Sequence, residues 1–250
     1  MKNSTIKTKY LYNSLGIIFV LAIWFIGVGV IDNKLIMPRF SIVLKTIVNI
    51  LTNSNTFGII ISSVIRLILA ITIGMLIGGI LAIFSGLNKK IYYFISPLIK
   101  IIRSTPIASI IVICLIIFGL VKTPVIITLL MIIPLVFEAV YQGIDSLDKE
   151  LIDVARLDTS DKFTLVKYAY LPLIRNYIKL AFFQSAGLGI KVLVMAEYIS
   201  QTNKAIGNEI YLAKINIEYS RVYAWTIILI VIIIAIEKII KTTLKSLMEN

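Results

Sequence analysis

Long apolar runs separated by short polar segments dominate the hydrophobic pattern of the chain. Each run approaches the roughly 20 residues that a helix needs to cross about 30 Å of hydrocarbon, where a helix satisfies its own backbone polar groups. Six runs are candidate membrane spans: Leu15–Ile31, Ile59–Phe84, Phe94–Phe118, Pro124–Val140, Tyr177–Ile199 and Val222–Ile239. The pattern predicts an all-α, polytopic membrane protein of about six transmembrane helices.

The amino-acid composition also indicates that the chain lies in a membrane. Of the 250 residues, 59% are hydrophobic and 15% are charged, against about 45–50% and about 25% in an ordinary soluble domain. The first run follows Lys2, Lys7 and Lys9, as the apolar part of a secretory signal would. No small-residue cleavage site follows it and further spans come after it, so we expect it to be retained as the first helix.

The distribution of Lys and Arg predicts the orientation. Most of these side chains lie on the side that would hold both termini, and cytoplasmic flanks carry such an excess. We expect a multi-pass protein of the plasma (inner) membrane with cytoplasmic termini at residues 1–14 and 246–250 and a transmembrane domain at 15–245. Residues 32–56 would form an external segment and residues 142–175 a cytoplasmic loop. The net charge of +12 then requires no nucleic-acid partner.

Several kinds of chemistry are excluded by the residues that are missing. The chain has no histidine, which rules out His-based metal sites and conventional catalytic triads, and its single cysteine, Cys114, can form no internal disulfide. We interpret Cys114 as a packing residue. No Gly-x-x-x-x-Gly-Lys-Ser/Thr phosphate loop is present, so the chain does not cradle nucleotide phosphates in the usual way. We expect no catalytic site, no metal and no cofactor.

Glycine and proline inside the spans predict local packing. Gly74, Gly78 and Gly79 in the second span would let a neighbouring helix approach closely. Pro106 frees a backbone carbonyl and kinks a helix, either as a structural bend or as a moving element of a translocation path. In the external segment, Ser41 could cap a short amphipathic helix at the interface, although an ordinary connecting loop is as good an interpretation.

Ionisable residues inside the spans are expected to have a structural or functional role, because each raises the free energy of membrane insertion by about 2.5–3.5 kcal/mol. Lys191 and Glu197 lie in the fifth span, about 120° apart around a helix, so we expect their partners on other helices. These two residues could line a translocation path, with Lys191 attracting an anionic solute. Alternatively, Lys191 forms a structural pair with Glu138, with Glu197 or with another protomer. Arg66 and Arg103 lie nearer the span ends and are expected to snorkel.

The cytoplasmic loop has the pattern of two short helices. Leu147, Leu151, Val154 and Ala155 form one apolar stripe at helical spacing, while charged residues occupy the other faces. The polar segment 158–161 then breaks the helix, and Asp161 suits the positive end of a second helix. An amphipathic helix exposed in this way is typical of an element that docks into a groove on another protein.

This loop resembles the signature of binding-protein-dependent ABC importer permeases, which reads Glu-Ala-Ala, three residues, Gly, nine residues, Ile, one residue, Leu-Pro. Asp153–Ala155 fall at Glu-Ala-Ala, Ala169 falls at the isoleucine, and Leu171–Pro172 end the pattern. Thr159 stands where the family has glycine, and we expect Thr159 to cap the second helix.

Three further segments resemble the sulfonate, taurine and nitrate subfamily of these permeases. Residues 37–44 are similar to its Leu-Pro-Ser-Pro-Ser-Ala-Val-Leu, and residues 103–106 to its Arg-Pro-Ile-Pro. Ala196-Glu197 with Gly207 resembles its Ala-Glu followed by a Gly-Leu-Gly turn.

The resemblance implies the type I ABC importer permease fold and a transport subunit rather than an enzyme. Its partners would be a cytoplasmic ABC ATPase dimer that hydrolyses ATP, an extracellular or periplasmic solute-binding protein, and a second permease protomer, which we expect to be an identical copy. The chain would form the path for a small anionic or heterocyclic solute and would couple to the ATPase through residues 147–166. The coupling residues would be Leu151, Asp153, Ala155, Arg156, Thr159 and Pro172.

Two other classes of protein are alternatives. An ion-coupled secondary transporter also uses intramembrane charge and kinked helices, but it would predict inverted repeats, which the sequence does not display. A membrane-embedded enzyme would need clustered Asp, His or Ser at one depth, whereas these spans hold only isolated acids and no histidine.

Overall fold

The computed structural model describes residues 2–31, 33, 35–159 and 161–249, and the regular structure within these ranges is helical. The elements are α1 (Lys2–Ile31), α2 (Phe40–Thr52), α3 (Ser54–Leu87), α4 (Lys89–Ser104), α5 (Ile107–Asp145), α6 (Lys149–Asp158), α7 (Lys162–Leu165), a π-helical turn (Val166–Tyr170), α8 (Leu171–Leu173), α9 (Arg175–Ser200), α10 (Ile206–Ile215) and α11 (Tyr219–Glu249).

Five helices within the described residues are long and apolar enough to cross a membrane. They are Ser14–Ile31 of α1, the whole of α3, α5 and α9, and Tyr219–Thr242 of α11. The predicted all-α, polytopic fold is confirmed. The chain forms two compact units, of which the first comprises the residues up to Phe57 with Glu209–Ile228, and the second comprises Gly58–Asn208 with the residues from Leu229 onward.

The third and fourth predicted spans are divided differently in the structure. Phe94–Phe118 is not one helix, because Thr105 (ψ 132°) and Pro106 (ψ 126°) are extended between α4 and α5. Proline disfavours a helical conformation in the residue before it, which explains the break at Thr105. The fourth predicted span, Pro124–Val140, lies inside α5, which is interrupted at Gly119, where φ is 73°. Only glycine adopts such a φ without steric cost.

In the first unit, aromatic side chains hold α1, α2 and the start of α11 together. The ring of Trp24 meets Phe40 edge-on at a centroid distance of 6.2 Å and Tyr223 at 4.8 Å. The short helix predicted in the external segment is present as α2. The prediction that Ser41 caps it was wrong, because Arg39 occupies the N-cap position and its carbonyl accepts from the N–H groups of Ile42 and Val43. Ser41 is therefore the second residue of the helix, two positions after the cap.

In the second unit, α3 and α5 pack closely at glycine. A Cβ atom on Gly74 would lie 2.6 Å from Cγ2 of Ile132, and one on Gly78 would lie 2.8 Å from the carbonyl oxygen of Ile133. The predicted close packing at Gly74 and Gly78 is confirmed. Gly79 takes no part in it, since a Cβ there would have no described atom within 4 Å other than those of its own turn.

Cys114 lies in the core that α5 and α9 share. Its side chain is buried in a cluster with Ile111, Ile127, Val192 and Ala196. The interpretation of Cys114 as a packing residue is confirmed, and because Ile111 and Ile127 lie on opposite sides of Gly119, the cluster joins both halves of α5 to α9.

Gly78→Ala is expected to lower the apparent melting temperature of the detergent-solubilised protein, whereas Gly79→Ala is expected to leave it nearly unchanged. The added methyl group at residue 78 meets a backbone oxygen that cannot rotate away, and overpacking of this kind costs about 1–3 kcal/mol. A thermal shift assay on the two variants checks this. Equal melting temperatures would show that α3 and α5 separate easily at this contact.

Candidate coupling loop and translocation path

The loop between α5 and α9 folds as two short helices, and an aspartate caps each of them. Asp148 accepts from the N–H of Glu150 at the start of α6, and Asp161 accepts from the N–H groups of Thr164 (2.8 Å) and Phe163 (3.4 Å) at the start of α7. The hydroxyl of Thr164, followed by its backbone N–H, holds the pKa of Asp161 below its usual value. The two predicted helices and the predicted role of Asp161 are confirmed.

Thr159 does not cap the second helix, so that prediction was wrong. It is the extended residue that ends α6, with φ −152° and ψ 136°, and its hydroxyl accepts from the N–H of Asp161 at 3.2 Å. Asp161 stands within three residues of the free N–H groups of α7 and carries a negative charge, so it is the better partner for the helix end.

α6 turns an apolar face outward. Ile152 is buried and anchors the helix, whereas Leu151 and Val154 are more than half exposed and Leu157 is 86% exposed. Leu151 and Val154 belong to the apolar stripe predicted from the sequence, and the structure adds Leu157. Large apolar side chains that face water on a charged helix are typical of a surface that another protein covers.

The other predicted coupling residues lie on or just beyond this helix. Asp153 and Arg156 form an exposed ion pair at 3.2 Å, and Ala155 lies partly buried between them. Pro172 is exposed in α8, directly after the π-helical turn. Proline lacks an N–H and clashes with the carbonyl four residues earlier, so the helix widens and the N–H of Leu171 donates to Val166, five residues back.

Glu197 is the centre of a buried polar network. Both of its carboxylate oxygens accept from the hydroxyl of Ser63 (2.8 and 3.0 Å), and they also accept from Arg66 (3.1 Å) and from the N–H of Gly207 (3.2 Å). Ser63 accepts in turn from the N–H of Ile206 at 3.1 Å. The expectation that Glu197 finds its partner on another helix is confirmed, since Ser63 and Arg66 belong to α3.

Close approach at Gly207 makes this network possible. A Cβ atom at that position would lie 2.5 Å from the backbone nitrogen of Tyr198 and 2.7 Å from Cβ of Glu197. Arg66 also donates to the carbonyl oxygens of Asn203 and Lys204, both at 3.3 Å. The Ala-Glu and glycine pattern seen in the sequence is thus one structural unit that fixes the turn after α9.

Arg103 and Glu138 form an ion pair between α4 and α5 that lies in the wall of two cavities. The larger cavity, of about 610 Å³, is also lined by Tyr177, Gln184 and Leu188 of α9. The smaller, of about 330 Å³, extends towards the aromatic and basic side chains of α4. Arg103 was expected only to snorkel, so sequence reasoning missed its place in these cavities. The available signals were the acid inside the fourth predicted span and the Ser-Thr-Pro break that follows Arg103.

Lys191 lies exposed on α9, on the face that carries Gln184, Leu188 and Met195. No acid among the described residues forms an ion pair with Lys191: Glu138 pairs with Arg103 and Glu197 with Arg66. The alternative that Lys191 pairs with either acid of its own chain was wrong. Pro106 is exposed between α4 and α5, where it separates two helices and does not kink a single one as predicted.

Comparison with known proteins identifies relatives of the chain. The model of the family described as binding-protein-dependent transport system inner membrane component matches residues 70–242. A protein of Bacillus subtilis (strain 168), provisionally named as the aliphatic sulfonates transport permease protein SsuC, is 25% identical over 217 residues. That alignment covers 85% of this chain and 78% of the relative. The family match includes the second half of α3, the whole segment from α6 to α8 and the residues that line the two cavities beside Arg103 and Glu138.

Glu197→Ala is expected to destabilise the protein by about 2–3 kcal/mol. Breaking a buried ion pair costs about 3–5 kcal/mol, and we expect less here because Arg66 keeps 17% exposure. Thermal unfolding in detergent measures the change. Glu218→Ala, which removes an exposed partner of Arg221, is the matched control and should cost below about 0.5 kcal/mol. Similar losses in the two variants would mean that the buried network contributes little.

Proposed function

Since the chain belongs to the family of binding-protein-dependent transport system inner membrane components, we propose that it forms the translocation path of an ABC importer for a small anionic or heterocyclic solute. Energy comes from a separate ATPase that binds the loop 147–166. The protein is a multi-pass transport subunit and not an enzyme, and the family is one whose members work with an ATPase and a binding protein. The outward apolar face of α6 is the observation that carries the coupling proposal.

We propose a specific assembly and orientation. Two copies of the chain form the membrane core of the plasma (inner) membrane, a dimer of ATPases binds on the cytoplasmic side, and a solute-binding protein delivers solute from outside. Both termini are cytoplasmic, which the excess of Lys and Arg on that side supports. Family membership favours this assembly over an ion-coupled secondary transporter, which needs neither partner.

Coupling requires that the loop move as a body with the spans. On ATP binding the two ATPases close and draw the α6 helices together, which rocks the spans from inward to outward opening. Two contacts support such transmission: Ser146 bonds the hydroxyl of Tyr177 at 3.1 Å, and Lys89 bonds Asp145 at 2.6 Å. The hydrogen bonds that Lys89 donates to Asp145 and, to a smaller extent, to Tyr141 raise the pKa of Lys89.

The solute follows the face of α9 that carries Gln184, Leu188 and Lys191. Lys191 supplies positive charge on this face, and Arg103 of α4, paired with Glu138, lines the cavity that Gln184 and Leu188 also line. The relative's name refers to aliphatic sulfonates. A sulfonate is a permanent anion whose oxygens accept charge-assisted hydrogen bonds. Glu197 holds α9 in position beside the path by binding Ser63 and Arg66 of α3, and its carboxylate is fully buried in that network. Pro106 provides the break between α4 and α5 beside Arg103.

The double variant Leu151→Ala/Leu157→Ala is expected to weaken copurification with the ATPase of the same transport system by at least about tenfold. Each truncation removes apolar surface that docking would bury, and a fully buried Leu contributes about 1.5–3 kcal/mol. Quantitative pull-down from detergent measures the loss. Lys149→Ala/Lys162→Ala, also exposed on the loop, is the matched control. If both double variants retain the ATPase equally, and an ion gradient alone drives uptake, the protein is a secondary transporter.

Lys191→Met is expected to lower ATP-driven uptake of a short-chain aliphatic sulfonate by about tenfold at low solute concentration. The substitution keeps an unbranched side chain only one atom shorter and removes one charged hydrogen-bond donor to the anion. Uptake into proteoliposomes containing the ATPase and the binding protein provides the measurement. Lys45→Met, which removes the same charge from α2 rather than from the face of α9 that carries Gln184 and Leu188, should transport normally. Unchanged uptake in Lys191→Met would exclude Lys191 from the path.

A further inference from the structure

A third cavity lies in the first unit, where the end of α1 meets the start of α2. Its volume is about 410 Å³, and it is lined by Phe25, Val28, Arg39, Phe40, Ser41 and Leu44. Four of these side chains are apolar, and Arg39 carries the only charge in the lining. Phe25 and Leu44 remain 60% and 47% exposed, so the cavity is an open groove rather than a sealed void.

We propose that this groove binds one anionic phospholipid. Its acyl chain lies along Phe25, Val28 and Leu44, and its phosphate contacts Arg39 and the hydroxyl of Ser41. The inference is independent of the solute and of the ATPase, because it rests only on the first unit of a membrane-spanning chain.

Charge complementarity favours an anionic headgroup. Arg39 is exposed, and no acidic side chain among the described residues lies within 4.0 Å of its guanidinium. Guanidinium groups bind phosphate with two parallel hydrogen bonds, which gives them a preference for such anions. A zwitterionic headgroup brings its own cation into the site and gains less from Arg39.

The position of the groove favours a lipid over a soluble ligand. Phe25 and Val28 lie in the last turns of the helix segment Ser14–Ile31, which is apolar enough to cross a membrane. Apolar side chains in that part of a span face hydrocarbon, whereas Arg and aromatic residues mark the level of the headgroups. The edge-on contact with Trp24 fixes the ring of Phe40 in the lining of the groove, so this part of the groove is preformed.

The small extent of the groove argues against a protein partner. A stable interface between proteins buries about 800 Å² on each side with 20 or more residues, whereas six residues line this groove. A single acyl chain needs no larger surface.

The test is a lipid titration of the full chain in detergent, followed by native mass spectrometry. Phosphatidylglycerol and phosphatidylcholine with identical acyl chains are compared on the wild type, Arg39→Gln and Lys45→Gln. Lys45 is exposed on α2 outside the groove, so its substitution lowers the net charge equally. We expect the wild type and Lys45→Gln to prefer phosphatidylglycerol by about fivefold, the effect of one basic side chain at a membrane surface, and Arg39→Gln to lose that preference.

Two further experiments test whether the bound molecule is a lipid. Leu44→Trp fills the groove and should weaken binding of both lipids, while inorganic phosphate at millimolar concentration should not displace bound phosphatidylglycerol. The proposal is overturned if Arg39→Gln and Lys45→Gln behave alike, or if inorganic phosphate competes, which would indicate a simple anion site. It is equally overturned if Leu44→Trp leaves lipid binding intact and instead changes the oligomeric state, because the groove would then be a contact between copies of the chain.

Discussion

Hydrocarbon offers no hydrogen bonds to the backbone, and this constraint determines the structure of the chain. Each span must satisfy its own peptide groups, so the spans are helices, and the chain can leave a helix only where its residues allow it. The breaks described here follow that rule. Thr105 and Pro106 separate α4 from α5, Gly119 interrupts α5 with a positive φ, and Pro172 follows a π-helical turn. Two of these breaks lie beside features that we connect with transport, since Pro106 follows Arg103 closely and Pro172 follows the proposed coupling loop.

Two kinds of interaction hold α3, α5 and α9 together: close packing at glycine and a buried ionic network. Glycine at residues 74 and 78 brings α3 against α5, where dispersion forces act over a close contact. The carboxylate of Glu197 then ties α9 to α3 through Ser63 and Arg66. Shape complementarity and one satisfied ionic network thus stabilise the same group of helices, which leaves Arg103, Glu138 and Lys191 available for other roles.

The sequence predicted those parts of the fold that depend on local pattern. Apolar runs predicted the spans, and helical spacing with Asp161 predicted the two short helices between α5 and α9. The boundary between α4 and α5 was missed because the apolar run continues through Thr105 and Pro106, so hydrophobicity alone does not mark the break. The cap positions of Ser41 and Thr159 were wrong because a helix end depends on which nearby acceptor reaches its first free N–H groups. The pairs Arg66–Glu197 and Arg103–Glu138 join residues far apart in the chain, and no periodicity encodes such contacts.

The network around Glu197 has a consequence for biosynthesis. A lone carboxylate in a nascent helix is costly to release into lipid, at about 2.5–3.5 kcal/mol on insertion scales. Ser63 and Arg66 are translated 131 residues or more before Glu197, so α3 has already left the ribosome when α9 emerges. Insertion of α9 can therefore be completed by docking onto α3, which is already in the membrane. Because α3 precedes α9 in the gene, Ser63 and Arg66 are in place to bind the carboxylate of Glu197 when α9 inserts.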